Sequence, residues 1–145
     1  MKTLAPNWKS MNESQSSKIK AANTALYSEG KLEDIAEFFT TDYVAHVTNK
    51  DLPLGHDGIQ QVLELYRRAF PDLQVEVEIL VQSKDRVAWQ RTIRATHLGA
   101  FKGFPPSKQP IVWCDMVTSR FRDGLIAEEW IVTDLAERLL ESRKR

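Results

Sequence analysis

The sequence predicts an α+β fold in which N-terminal helices cover a curved antiparallel sheet. Three long runs with alternating apolar and polar residues occupy residues 84–97, 111–121 and 125–134, and this alternation is typical of half-buried strands. Segments rich in Gly and Pro join these runs, and Asp123-Gly124 is a strong hairpin signal. Because helical spacing precedes the strands, we expect helices to cover the concave side of the sheet and to leave a cone-shaped cavity.

The first helices are predicted from the spacing of apolar residues. We expect residues 1–14 to form a flexible arm and residues 15–142 to form a single domain. A helix should follow the arm and stop at Gly30, and a second, shorter helix should cover residues 32–39. Trp8 is unusual for a linker, and we expect it to dock either on the body of the protein or on a second subunit.

A third helix should begin near Asp57, with Gly55 and His56 as alternative boundaries. It should end at Phe70, because the residue before a proline avoids the helical region. Residues 73–81 alternate cleanly and are predicted to form a further strand. The remaining elements are an extended segment at residues 43–47 and a short closing helix at residues 135–142.

Composition narrows the classes of function. The chain has 145 residues with 20 basic and 20 acidic side chains, so no broad electrostatic field favours nucleic acid or an anionic membrane surface. A single cysteine, Cys114, excludes an internal disulfide and fits a reducing cytoplasm. The start of the chain has no apolar run long enough for a signal peptide or a membrane span. We therefore expect a cytoplasmic domain that binds neither nucleic acid nor membrane.

Three polar side chains interrupt the apolar face of the predicted sheet: Arg91, His97 and Asp115. A buried charge is costly unless it is paired or reached by water. Either Arg91 and Asp115 form an ion pair that only holds the core, or this face lines a wet cavity. In the second case Asp115 is suited to general acid or base chemistry. The opposite face is mixed in polarity and is suited to a dimer interface.

Other candidate residues each have two interpretations. His46 could act as an acid, a base or a ligand-orienting group, or it could simply bond a backbone carbonyl. His97 could reach the cavity mouth or fix the loop of residues 99–106. Glu128 and Glu129 have opposite parity on the last strand, and periodicity does not decide which faces inward. No two histidines have a metal-ligand spacing, so we expect no metal site, and no phosphate-binding glycine loop occurs.

A series of short motifs resembles one known family over most of the chain. The motifs are Asp42-Tyr43-Val44 with His46, Gly55, Ala69-Phe70-Pro71-Asp72, Thr96-His97-Leu98-Gly99, Gly103-Phe104-Pro105-Pro106, Arg120, Asp123-Gly124-Leu125-Ile126, Glu128, Trp130 and Asp134. In this order and spacing they resemble the SnoaL-like polyketide cyclases, the ester cyclase branch of the nuclear-transport-factor-two-like superfamily. The resemblance implies a cystatin-like α+β cone with a deep apolar pocket, usually in a dimer, without cofactor or metal.

The resemblance also indicates where functional residues would fall. The best-known members close a ring of a polyketide ester by an intramolecular aldol reaction, with an aspartate in the last strand as the acid–base group. That position falls on Ile131 here, two further pocket positions fall on Asp115 and Val117, and a pocket asparagine position falls on Ala45. The resemblance thus predicts the fold, but it does not carry over the cyclase mechanism.

Two main hypotheses follow. The first is a cofactor-independent enzyme with acid–base chemistry of the cyclase, isomerase, lyase or hydrolase type, acting on an apolar or ring-containing compound. Its catalytic residues would be Asp115, Arg91 and His46, and its ligand-binding residues would be Tyr43, Trp89, His97, Val117, Glu129, Trp130 and Ile131. The second is a non-catalytic binding or carrier protein with the same pocket. A third option is an interaction module that uses the outer sheet face, and for any of them we expect a homodimer through that face.

Overall fold

The computed structural model describes residues 8–48 and 50–143, and it describes side chains from residue 12 onward. The docking predicted for Trp8 concerns its side chain, which is outside the described side chains, and it stays a prediction. The helices are α1 (Trp8–Ala22), α2 (Ile35–Phe38), α3 (Gly55–Ala69) and α4 (Leu135–Arg143). Helix α1 continues into a π-helical turn, Asn23–Ser28, and a 3₁₀ turn, Leu32–Asp34, leads into α2.

Helix α1 differs from its prediction. It begins at Trp8, so residues 8–14 of the predicted flexible arm are helical, and only residues 1–7 of that arm lie outside the described part. The apolar periodicity begins only near Ile19, which is fully buried, and a polar first half of a helix carries no such signal. The second predicted helix is also shorter than expected, because Phe39 already belongs to the following strand.

Six strands form one sheet in the order β2-β1-β6-β5-β4-β3. The strands are β1 (Phe39–Val47), β2 (Lys50–Leu52), β3 (Gln74–Ser83), β4 (Arg86–Thr96), β5 (Pro110–Arg122) and β6 (Leu125–Thr133). Strands β3 to β6 form the predicted antiparallel meander. Strand β1 instead pairs with β6 in parallel, so the sheet is mixed rather than antiparallel throughout. Because α3 and the whole meander separate β1 from β6, no hairpin forces these two strands to be antiparallel.

The α+β fold itself is confirmed, and the alternation along the long strands selects the face that the helices cover. On β4, Val87, Trp89 and Ile93 are at most 2% exposed, whereas Arg94 is exposed. Apolar side chains of α1, the π-helical turn and α3 pack against this face and form the core with it, among them Ile19, Leu26, Ile59 and Leu63.

Two of the motifs predicted from the sequence contact each other at the end of α3. Asp72 accepts hydrogen bonds from the backbone N–H of Thr96 at 2.8 Å and from its hydroxyl at 2.7 Å. The backbone N–H groups of Leu98 and Gly99 donate to the carbonyl oxygen of Ala69 at 2.9 and 3.1 Å. The bonds to Ala69 satisfy a carbonyl group at the C-terminus of the helix that has no partner within it. The motifs therefore fix α3 to the end of β4 and have a structural role here.

Among the described residues, no helix is long and apolar enough to cross a membrane.

Candidate active site

A cavity of about 180 Å³ lies between the concave face of the sheet, the π-helical turn and α3. Most of its lining is apolar, with contributions from Leu26, Phe39, Leu54, Leu63 and Ile131. Such a cavity suits an apolar organic molecule, and a few polar groups would orient it. The polar and aromatic groups of the lining are Asn23, Tyr27, Tyr43, Tyr66, Trp89, Arg91, Lys102, Asp115, Glu129 and Thr133.

Arg91 and Asp115 form one polar patch of the cavity wall. They are direct partners on β4 and β5, and the Arg91 Nε donates to Asp115 Oδ2 at 2.7 Å. The Arg91 Nη1 also donates to Asn23 Oδ1 at 3.0 Å, and its guanidinium lies 4.5 Å from the centre of the Tyr27 ring. Of the two arrangements that the sequence allowed for Arg91 and Asp115, the structure has the ion pair, and this pair borders the cavity.

One carboxylate oxygen of Asp115 accepts no hydrogen bond from the described residues. Its Oδ1 is buried and has no hydrogen-bond partner among the described residues. A buried acceptor without a partner is unfavourable. A ligand hydroxyl or a water molecule in the cavity would supply the missing donor, so Asp115 is suited to orient a ligand while Arg91 holds its other oxygen.

Glu129 forms the second polar patch, together with Tyr43 and Ser119. The Tyr43 hydroxyl lies 2.7 Å from Glu129 Oε1, and the Ser119 hydroxyl lies 2.5 Å from Glu129 Oε2. The indole N–H of Trp89 donates to the Ser119 oxygen at 2.8 Å. This network uses residues from β1, β4, β5 and β6, and it holds a single carboxyl group at the cavity wall.

Burial raises the pKa of Glu129, although hydrogen bonds from Ser119 and Tyr43 and the charge of Arg91 oppose the shift. Burial also raises the pKa of the Tyr43 hydroxyl well above its ordinary value, and the neighbouring Glu129 adds to that shift. A raised pKa makes the carboxylate a stronger base, which suits it to accept a proton from a bound molecule. Tyr43, by contrast, stays protonated and can act only as a hydrogen-bond donor or acceptor.

The structure brings six of the predicted site residues to the cavity: Tyr43, Trp89, Arg91, Asp115, Glu129 and Ile131. It resolves the question of parity on β6, because Glu129 is 6% exposed and lines the cavity. Its neighbour Glu128 instead bonds Arg120, through the Arg120 Nε at 2.8 Å. Val117 lies on β5 between Asp115 and Ser119. It is buried in the core, but it is not part of the cavity lining.

His46 and Trp130 do not line the cavity. The two rings stack with centroids 5.1 Å apart, and His46 bonds Asp51 and Glu128, each at 2.6 Å. These hydrogen bonds raise the pKa of His46. Because Tyr43 and Ala45 of β1 face the cavity, His46 falls on the other face of the strand. The placement of His46 and Trp130 at the cavity is therefore corrected.

His97 lies at the base of the loop of residues 99–106 and does not reach the cavity. Its backbone bonds Gln109 and Lys108, and its ring is 5.2 Å from that of Phe70. Burial lowers the pKa of its imidazole. Of the two interpretations of His97, these contacts favour the one in which it fixes the loop.

The cavity and network residues that sequence reasoning missed include Asn23, Tyr27, Tyr66 and Ser119. Ser119 has the same parity on β5 as Asp115, so alternation along the strand was enough to place it on the inner face. The other three lie on helical segments, where a single polar or aromatic residue does not reveal that it faces a cavity. Within the described residues, no group of three or more His, Cys, Asp or Glu side chains is placed to hold a metal ion.

Comparison with known proteins agrees with this architecture. The sequence model of the SnoaL-like polyketide cyclases matches residues 17–141. The protein belongs to this family. The family match covers the whole sheet and the cavity that it encloses. A search of proteins with curated functions finds no significant match.

Solved structures of related proteins superpose on most of the chain. IdmH from Streptomyces antibioticus, described as a candidate polyketide cyclase, is 30% identical with a TM-score of 0.75 over 90% of this chain and 99% of its own. AclR from Streptomyces galilaeus, described as a candidate hydroxylase, is 28% identical with a TM-score of 0.77 over 92% and 87%. A candidate polyketide cyclase from Acidithiobacillus ferrooxidans has a TM-score of 0.80 at 20% identity over 90% and 95%, which supports the fold alone.

Proposed function

We propose that this SnoaL-like protein is a cofactor-independent enzyme that performs acid–base chemistry on an apolar, ring-containing carbonyl compound. The observation that carries the proposal is Glu129, a fully enclosed carboxyl on the cavity wall whose pKa is raised by burial. A carboxyl in such surroundings is held there at a cost in stability, and perturbed groups of this kind concentrate at functional sites. The names of the related structures, polyketide cyclase and hydroxylase, are compatible with carbonyl-rich ring substrates.

In the proposed step, the Glu129 carboxylate removes a proton from the carbon next to a substrate carbonyl. The C–H bond breaks, its electron pair moves to the carbonyl oxygen as an enolate, and the proton binds to Glu129. In a cyclisation, the enolate carbon attacks a second carbonyl, a C–C bond forms, and the resulting alkoxide takes the proton from Glu129. In an isomerisation, Glu129 returns the proton to another carbon of the substrate. Either route restores the carboxylate. General acid–base catalysis of this kind contributes roughly 10²- to 10⁴-fold to a rate.

Arg91 and Asp115 would position the substrate at the other polar patch. The free Asp115 Oδ1 would accept a hydrogen bond from a substrate hydroxyl, and the ion pair with Arg91 keeps this side chain in place. The earlier hypothesis made Asp115 the acid or base. Glu129 is the better candidate, because its two hydrogen-bond partners are hydroxyl groups, whereas Asp115 is bound to a permanent cation.

Proton removal can be tested without the natural substrate. Exchange of the α-hydrogens of 2-tetralone for deuterium in D₂O, followed by ¹H NMR, measures enolate formation directly. We expect the protein to accelerate the exchange, and we expect Glu129→Gln to lower the protein-dependent rate by about 100-fold or more. Glu78→Gln, the same substitution on an exposed residue of β3, should leave the rate unchanged.

The same experiment separates the alternatives. Loss of exchange in Asp115→Asn but not in Glu129→Gln would move the proton acceptor to Asp115. Binding of 2-tetralone with no acceleration of exchange in the unmodified protein would contradict the enzyme and favour a carrier. Circular dichroism of each variant checks that the fold is retained.

A further inference from the structure

The hydrogen atoms of the Glu129 network can be placed from the chemistry of its members. An indole N–H only donates, so the Ser119 oxygen must accept from Trp89. The remaining partner of the Ser119 hydroxyl is Glu129 Oε2, and it must therefore receive the Ser119 hydrogen. Consequently Trp89 fixes the direction of the Ser119 hydroxyl, and Glu129 Oε2 is an acceptor.

This direction determines where a proton can bind on Glu129. A proton on Oε2 would displace the Ser119 hydrogen, and Ser119 is 0% exposed and outside the cavity lining, so that hydrogen would find no acceptor among the described residues. A proton on Oε1 points instead at the Tyr43 oxygen. It displaces the hydrogen of the Tyr43 hydroxyl, and Tyr43 lines the cavity, where a bound molecule can accept it. The proton therefore belongs on Oε1.

We propose that Tyr43 is the cavity's hydrogen-bond donor to a ligand carbonyl oxygen, and that protonation of Glu129 releases its hydroxyl hydrogen for this purpose. When Glu129 is ionised, Tyr43 donates to the carboxylate. When Glu129 carries a proton, Tyr43 accepts from it and turns its own hydrogen toward the ligand. The inference rests on the proposed function for its catalytic meaning: uptake of the substrate proton by Glu129 and stabilisation of the enolate oxygen by Tyr43 would occur together.

The chemical class of ligand follows from this arrangement. The ligand should present a carbonyl oxygen beside Tyr43 and a carbon bearing an acidic hydrogen beside Glu129 Oε1, as an enolisable ketone or ester does. The Tyr43 and Glu129 oxygens are only 2.7 Å apart, which suits the carbonyl oxygen and the α-carbon of one carbonyl compound, since only the carbonyl carbon separates these two atoms. A hydroxyl elsewhere on the ligand would reach the free Asp115 Oδ1.

The pH dependence involves each group that faces Glu129. Besides Tyr43 on β1 and Ser119 on β5, these groups are Arg91 on β4 and Tyr27 on the π-helical turn. Arg91 stays charged and Tyr27 stays neutral near physiological pH, because burial raises the pKa of the Tyr27 hydroxyl. Glu129 is therefore the group that changes its charge with pH. A carbonyl ligand should bind more tightly at pH values below the pKa of Glu129 than at pH values above it.

The test uses 2-acetylnaphthalene labelled with ¹³C at the carbonyl, a ketone whose C=O infrared band moves to lower frequency when it accepts a hydrogen bond. In the unmodified protein we expect the lowered band at low pH and its loss as pH rises through the Glu129 transition. In Glu129→Gln the side-chain amide can donate to Tyr43 while its oxygen accepts from Ser119. This variant should keep the lowered band at every pH.

Control variants distinguish the donor from the rest of the cavity. Tyr43→Phe should abolish the lowered band, whereas Tyr66→Phe, which removes another cavity hydroxyl, should keep it. A lowered band that persists in Tyr43→Phe, or a band in the unmodified protein that does not respond to pH, would overturn the proposal. If the band behaves as expected while 2-tetralone exchange is absent, the proposed enzyme fails and the donor role of Tyr43 stands. If exchange occurs while Tyr43→Phe keeps the lowered band, the proposed enzyme stands and the donor role of Tyr43 fails.

A second measurement needs no ligand. In protein with ¹³C-labelled tyrosine, the Cζ shift of Tyr43 should change in a single step with pH, because its hydroxyl changes from acceptor to donor as Glu129 ionises. The step should disappear in Glu129→Gln. A Cζ shift that does not move in the unmodified protein would contradict the coupling between the two residues.

Discussion

Replacement of Arg91 by Met removes the cation that pairs with Asp115 and retains most of the aliphatic stem. The side chains of the pair are only 9% and 5% exposed, with 2.7 Å between Arg91 Nε and Asp115 Oδ2. Removal of one partner of a buried pair costs about 3–5 kcal/mol, because the other charge stays buried without compensation. Because the pair borders the cavity, we expect the lower end, about 3 kcal/mol.

Urea denaturation with linear extrapolation measures this loss directly. For a chain of this size, about 3 kcal/mol corresponds to a fall of roughly 6–12 °C in Tm. Arg94→Met is the matched control, since Arg94 lies on the exposed face of the same strand. Its free energy of unfolding should stay within about 0.5 kcal/mol of the unmodified protein.

A double-mutant cycle shows whether the cost arises from the pair itself. Asp115→Asn in the Arg91→Met background removes the orphaned charge, so the double variant should be more stable than the sum of the two single losses by at least about 1 kcal/mol. If Arg91→Met costs no more than Arg94→Met, or if the two losses simply add, the pair is not a dry structural ion pair. The cavity would then be wet at this point, and Asp115 would regain its standing as a candidate acid or base.

Two further predictions concern the loop after β4 and the outer sheet face. A Cβ at Gly99 would lie 2.4 Å from the carbonyl oxygen of Arg68, so Gly99→Ala should lower the free energy of unfolding by about 2 kcal/mol or more in urea denaturation. Gly103→Ala, where nothing lies within 4 Å and only the positive φ of 86° is unfavourable, should cost about 1 kcal/mol, and equal losses would contradict the packing argument. The homodimer stays a prediction: Met116 and Val132 are strand partners on the outer face and are 46% and 64% exposed. Val132→Lys should therefore convert a dimer into a monomer by light scattering, and an unmodified protein that is monomeric at high concentration would refute it.

The strand meander could be predicted from the sequence because alternation along a strand directly records which side is buried. Val87, Trp89 and Ile93 have this pattern and are buried. The parallel pairing of β1 with β6 could not be predicted in the same way. It joins residues far apart in sequence, such as Ala45 and Glu129, and no local pattern encodes which strand becomes a neighbour.

The orientation of Glu129 shows a different limit. Periodicity failed on β6 because the strand has a bulge: Arg120 pairs with Glu128, but the next residue on β5, Phe121, pairs with Ile126. An extra residue, Ala127, is thus accommodated, and Ile126 and Ala127 are both buried. A bulge changes the parity of the strand beyond it. Alternation continued from Ile126 without the bulge would therefore have placed Glu128 inside the cavity instead of Glu129.

The position of His46 was, in contrast, within reach of the sequence. Tyr43, Ala45 and Val47 share one parity on β1 and line the cavity, so alternation alone would have placed His46 on the opposite face. His46 was interpreted as a candidate site residue because histidine can act as an acid or a base near neutral pH. Its ion pairs with Asp51 and Glu128 give it a role in joining β1, β2 and β6.

The cavity keeps a carboxyl on its last strand, although the residue that the resemblance aligns with the family's acid–base aspartate is Ile131. Glu129 precedes it on the same face, and both side chains line the cavity. Two residues along a strand correspond to a displacement of about 7 Å. This displacement moves the carboxyl away from the row of Arg91 and Asp115 and into bonding distance of Tyr43. Under the proposed function, the substrate carbonyl would accordingly be activated beside β1, while Asp115 would be left to hold the substrate.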